Sequence, residues 1–137
     1  ITGTDATVAN VAAINTATNG LVTVSEVDVT GATFSLAGLG DLTGITGLAK
    51  IDASGTGVTA MTITAAELFA ANDGVGAIEL IINAGAADTL TLAGWAKGLK
   101  AQSGYDLYST TGSFDGVAGD ETYTVKVTAD TSVLGAI

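Results

Sequence analysis

The sequence predicts a mainly β fold, either a β-sandwich or a short β-solenoid-like stack, with one or two short peripheral helices. Three observations lead there. Residues 122–129 alternate strictly, with Tyr123, Val125, Val127 and Ala129 on one face and Thr122, Thr124, Lys126 and Thr128 on the other, which is the signature of a half-buried strand. Residues 21–29 are rich in β-branched side chains and end at Gly31, a second strand signal. The middle of the chain also repeats. Val27-Asp28-Val29-Thr30-Gly31-Ala32 aligns with Ile51-Asp52-Ala53-Ser54-Gly55-Thr56 at an offset of 24, and Ile78-Glu79-Leu80-Ile81 follows 27 residues later with an acid again in second place. Each start precedes a short apolar pair, Phe34/Leu36, Met61/Ile63 or Leu90/Leu92, and a period of that length with strand, turn and strand per unit predicts stacked rungs.

The elements follow in order. Residues 4–18 carry Val8, Val11, Ala12 and Ile14 at helical spacing, with Asp5 near the positive end of the helix dipole and Asn19-Gly20 as a stop. After the strand at 21–29, Thr64-Ala65-Ala66-Glu67 forms a capping box ahead of Leu68 and Phe69. That helix is confined to about two turns by the turn signal Asn72-Asp73-Gly74. Tyr105-Asp106-Leu107-Tyr108 alternates as a strand, residues 112–119 form a Gly-containing loop, and the alternating strand at 122–129, expected to be antiparallel, closes the body. One domain over 1–137 is expected, with a helical segment at 1–20 and a β-rich body at 21–137.

Composition then narrows function. The 137 residues hold 24 Ala, 22 Thr and 19 Gly, with no His, Cys, Arg or Pro. Zinc sites built on His and Cys, thiol nucleophiles, Ser-His-Asp triads and arginine fingers are thereby excluded. A formal charge of −10 repels phosphate backbones and anionic bilayers, so neither nucleic acid nor membrane insertion is expected. No run approaches the 18 apolar residues of a spanning helix. A mean hydropathy of +0.52 argues against disorder. A first residue of Ile rather than Met predicts a processed chain or a piece of a longer one.

Several segments together resemble a module of the very large bacterial surface proteins secreted by the type I route, the RTX-type and biofilm-associated adhesins. They are Ile51-Asp52-Ala53-Ser54-Gly55-Thr56-Gly57, Met61 through Leu68, Asp73-Gly74, Ala87-Asp88-Thr89-Leu90-Thr91-Leu92-Ala93-Gly94-Trp95 and Tyr105-Asp106-Leu107-Tyr108. The opening Ile1-Thr2-Gly3-Thr4-Asp5-Ala6-Thr7 is similar to another short repeat of such proteins, and the likeness extends over 1–32 and 48–108. The calcium nonapeptide of that family is missing, since Gly74-Val75-Gly76-Ala77-Ile78 has Ile where the aspartate belongs. The resemblance implies an extracellular, β-rich structural or adhesive module at the bacterial cell surface or in its matrix.

Candidate sites are few. Asp115, Asp120 and Glu121 lie in a Gly-rich segment and form a candidate Ca²⁺ set, because hard cations want several oxygens converging from a turn-rich loop; the competing reading is a solvated turn. Asp28 and Asp52 hold equivalent repeat positions, so stacking brings like charges together, and solvent exposure or a bridging cation must relieve them. Asp41 and Asp73 read as turn residues, and Asp88 as the cap of a turn before Leu90. Trp95, Tyr105 and Tyr108 offer either a small glycan platform or the large members of a small-residue core.

No carboxylate pair stands out for glycosidase-like chemistry, so the expected function is non-enzymatic. The chain is expected to be an extracellular subunit that self-associates into a surface filament, layer or adhesin array; a calcium-supported glycan- or surface-binding module is the alternative. The assembly residues are the apolar ends, Ile1 and Thr2 at one and Val133, Leu134 and Ile137 at the other, joining copies through sheet edges and chain ends. The absence of proline, against about 7 from average usage, leaves edges without one of the devices that block pairing.

Overall fold

A computed structural model describes residues 6–55, 57–71, 78–98, 103–112 and 121–137, and of Ile78 and Glu121 the backbone alone. Within these residues the chain winds through four rungs of parallel strands. The first holds β1 (Val22–Thr23), β2 (Glu26–Asp28) and β3 (Thr33–Ser35); the second, β4 (Ile45–Thr46), β5 (Lys50–Ala53) and β6 (Ala60–Thr62). The third holds β7 (Ile78–Ala84) and β8 (Thr89–Thr91), and the fourth β11 (Glu121–Thr128) and β12 (Ser132–Leu134). Between the last two, β9 (Ala96–Lys97) and β10 (Tyr105–Gly112) are inserted as an antiparallel excursion. Three sheets result, ordered β1-β4, β2-β5-β7-β11-β10-β9 and β12-β8-β6-β3. The fold is mainly β, and its rung-on-rung pairing makes it the solenoid-like stack.

The stack exists because apolar side chains recur at each inward position. Val27, Ile51, Ile82 and Val127 face one another across successive rungs of the six-stranded sheet. Phe34, Met61, Leu90 and Val133 do the same in the four-stranded one. The first three members of the second row are buried, as are all four of the first. No rung can bury its apolar face alone, so the gain comes from stacking.

The helices cover the stack without entering it. α1 (Val8–Ala17) starts one turn later than residue 4, with Thr7 as its N-cap, and Thr7 itself bridges β2 at Asp28. Of its expected apolar face only Val11 is buried, while Ile14 is 42 % exposed. The anchor is instead Asn15, whose Nδ2 donates to the carbonyls of Leu39 at 3.0 Å and Asp41 at 2.8 Å. Gly44 has no side chain because a Cβ there would stand 2.5 Å from Asn15 Oδ1.

α2 (Ala65–Ala70) carries the capping box read from the sequence: the Glu67 N–H donates to Thr64 Oγ1 at 3.2 Å and the Thr64 N–H to Glu67 Oε2 at 3.1 Å. Thr64→Ala is expected to lower stability by about 1 kcal/mol, read as a fall in the thermal midpoint. Glu67→Gln, which keeps the reciprocal bond, should cost less.

Two strand expectations are refined. The segment 21–29 is not one strand but β1 and β2, split at Ser25 where the chain passes from one sheet to another. β11 is antiparallel to β10 through eight residue pairs, yet parallel to β7 on its other side. The repeat start at Ile78 is displaced: Ile51 stands opposite Ile82 and Asp52 opposite Asn83, not Glu79.

Candidate functional site

Two features stand out, an acidic cluster on the outer face of the six-stranded sheet and, among the described residues, a pair of unpaired edges on the four-stranded sheet. The cluster follows from strand alternation. With Val27 and Ile51 turned inward, Glu26 and Asp28 of β2 and Lys50 and Asp52 of β5 all point outward. Parallel pairing sets Glu26 opposite Lys50 and Asp28 opposite Asp52. One carboxylate oxygen from each of Glu26, Asp28 and Asp52 lies within 4.8 Å of the others.

The juxtaposition of Asp28 and Asp52 therefore occurs, and Lys50 is the cation that relieves it. Its Nζ lies 2.6 Å from Glu26 Oε1 and 3.1 Å from Asp52 Oδ2. Burial pushes Asp52 upward, but the Ser54 hydroxyl and N–H and the Lys50 ammonium outweigh it and hold its pKa below the ordinary value. Asp28 goes the other way, raised by burial and then by the neighbouring Glu26 and Asp52 charges. Lys50 is raised by its hydrogen bonds to Glu26 and Asp52.

The signs give opposite pH behaviour. Asp52 contributes stability above its unfolded pKa that is lost as pH falls through its depressed folded value. Asp28 is destabilising once ionised, so its contribution favours the fold only at acid pH. Asp28→Asn is accordingly expected to raise stability at pH 7 by no more than about 0.5 kcal/mol, with the gain vanishing in a melt at acid pH where Asp28 is already protonated.

The two other described lysines also tie neighbouring strands. Lys126 Nζ meets Glu79 Oε1 at 2.8 Å between β11 and β7, and Lys97 Nζ meets Asp106 Oδ2 at 2.7 Å between β9 and β10. Lys97 also stands 5.8 Å above the Tyr108 ring, at the distance of a cation–π contact.

Asp88 does more than cap its own turn. It is 1 % exposed, and its two carboxylate oxygens accept the N–H of Thr59 at 2.8 Å and of Gly85 at 2.7 Å. Thr59 in turn donates its hydroxyl to the Gly31 carbonyl at 2.9 Å, and the Ser132 N–H donates to the Asp88 carbonyl at 3.4 Å. A polar line thus runs along one corner through all four rungs. The motif reading found its first half, the turn, and missed the link to the neighbouring rung.

Of the expected calcium ligands, Asp115 and Asp120 lie outside the described residues, and of Glu121 only the backbone is described, at the start of β11. Trp95 is 1 % and Tyr108 4 % exposed, so both are core members, and Tyr105 donates its hydroxyl to Asn83 Oδ1 at 2.7 Å. Ile1 and Thr2 lie outside the described residues. At the other end Val133 packs against the core, Leu134 is 51 % exposed and Ile137 83 % exposed. The Ile137 backbone is nonetheless tied down, its N–H donating to the Trp95 carbonyl at 2.8 Å and its carbonyl accepting the Lys97 N–H at 3.2 Å.

The four-stranded sheet ends at β12 on one side and β3 on the other, and among the described residues no strand pairs with the outer edge of either. No helix among them is long and apolar enough to cross a membrane. No family model, curated protein or solved structure matches the chain.

Proposed function

We propose that the chain is a non-enzymatic structural building block of the bacterial cell surface or extracellular matrix, which self-associates into a filament, layer or adhesin array. The observation that carries this reading is the all-parallel four-stranded sheet, neither of whose edges is paired among the described residues. Open edges are templates for further strands, and natural sheets that stay solitary cover, charge or bend them. The residue repertoire supports the same reading, since the chain holds no His, Cys or Arg with which to build the commoner catalytic centres. So does the resemblance of its segments to adhesin modules.

The alternative, a calcium-supported glycan-binding module, has less behind it. Its aromatic platform is taken up by the core at Trp95 and Tyr108, and the carboxylates of Glu26 and Asp52 already hold Lys50.

Sedimentation across a wide concentration range, with and without chelator, together with electron microscopy of the concentrated protein, tests the reading. Concentration-dependent polymers are the expected result. A strict monomer at high concentration, or glycan binding abolished by chelator, would overturn it.

A further inference from the structure

We infer that copies join head to tail by pairing the outer edge of β12 with the outer edge of β3 in the next copy, in parallel and in register, with Val133 opposite Phe34. This rests on the self-association reading above and names the surface that performs it.

Hydrogen-bond parity limits the register to even steps, and continuing the in-line row of Phe34, Met61, Leu90 and Val133 selects this one. Within the sheet, the Ala60 N–H donates to the Ala32 carbonyl, the Thr89 N–H to Thr59 and the Ser132 N–H to Asp88. At each step, therefore, the central residue of one strand (Phe34, Met61, Leu90) turns its backbone toward the next strand, whose flanking residues turn back toward it. Ser132 and Leu134 are thereby committed to β8, the latter accepting the Leu92 N–H at 2.9 Å. Val133 is left with its N–H and carbonyl facing outward.

On β3 the parity is complementary: Phe34 faces β6, so the backbones of Thr33 and Ser35 face outward. One outward residue flanked by two is what the three internal steps each use. A fifth strand placed with Phe34 opposite Val133 makes the same pair of bonds, the Val133 N–H to the Thr33 carbonyl and the Ser35 N–H to the Val133 carbonyl. A shift of one residue loses both.

Side chains agree with the backbone. The outward row Ser35, Thr62, Thr91 and Leu134 is polar until its last member, and Leu134 is 51 % exposed. In the joined pair Leu134 falls beside Ser35 of the next copy. The recess at that edge includes Val8 and Ala60 beside Thr33, Ser35 and Thr62, so Val8 and Ala60 are the apolar partners the leucine meets. Such a contact is heterologous and leaves each joined copy with a free edge for the next.

The absence of cysteine makes the test direct. A chain carrying both Thr33→Cys and Ser132→Cys, two exposed positions at opposite edges, is concentrated and then oxidised. Within one copy the two sites are three strand steps, about 14 Å, apart, beyond the ~7 Å limit for a disulfide. Between copies in the inferred register they are neighbours. A ladder of covalent dimers, trimers and larger species is expected, with each single variant giving dimers at most.

Leu134→Asp should leave the thermal melt unchanged and raise the concentration needed for assembly about tenfold or more, the effect of losing one buried leucine. Polymers that form without a covalent ladder would overturn the edge pairing and leave self-association standing. A double variant that neither polymerises nor cross-links, with unmodified chain also monomeric, would overturn both.

Discussion

Asp88→Ala is expected to lower the free energy of unfolding by about 3 kcal/mol, and to do so without touching any apolar contact. The carboxylate is 1 % exposed and accepts two backbone N–H groups, at 2.7 and 2.8 Å. Bonds to a charged acceptor contribute about 1.5–3 kcal/mol each, and a buried donor left without an acceptor costs about 1–3. Thr59, one of the two donors, is 3 % exposed, so water does not replace the lost oxygen there without opening the corner. Gly85 is less enclosed and recovers part of its loss, which keeps the total below the sum of two full penalties. Asp88→Asn should fall between, because its amide oxygen serves one donor while its NH₂ faces the other. Urea unfolding at neutral pH reads the difference as a shift in midpoint at constant slope. A change of under about 0.5 kcal/mol, typical of surface sites, would mean that the carboxylate is solvated and the corner line idle.

How much of this was legible varies with the physics behind each element. The capping box at Thr64 was fully legible because it is local: donor and acceptor are three residues apart and need nothing else. The inward row of Phe34, Met61 and Leu90 was legible because burial repeats with the rung. The 24-residue offset between Val27 and Ile51 was legible for the same reason. The third repeat was misaligned by four residues, since Ile82 and not Ile78 stacks on Ile51. A slip of four is even, so it preserves which side chains face in: Leu80 and Ile82 are buried either way. Parity is written in a strand's own alternation. Rung alignment is set by the length of chain between rungs, and α2 lies within that connection.

The same division applies to the site. That Asp28 and Asp52 meet followed from the repeat. Relief by Lys50 was equally available, because Glu26 and Lys50 precede those acids by two residues on the same strands and so share their face. Asp88 is different. An aspartate that caps its own turn and one that also reaches the previous rung look identical in sequence; only the stacking of Thr59 beneath it separates them. Trp95 and the tyrosines carried two readings in sequence, and burial decides for the core in Trp95 and Tyr108.

Ile51→Ala is expected to cost about 3–4 kcal/mol, and the loss should be graded along the chain. Ile51 is fully buried between Val27 below and Ile82 above, so truncation leaves a cavity that two rungs border and neither fills. In a stacked array each rung is held by its neighbours alone, and the damage should be local. Amide exchange is expected to accelerate most in β2 and β5, less in β7, and least in β11, which is braced by the eight-residue pairing with β10. A defect in one rung then affects the outer edges of β3 and β12 unequally: the β3 end loosens while the β12 end holds. Exchange accelerated equally at every amide would instead mean that the four rungs open as one cooperative unit, and both edges would be lost together.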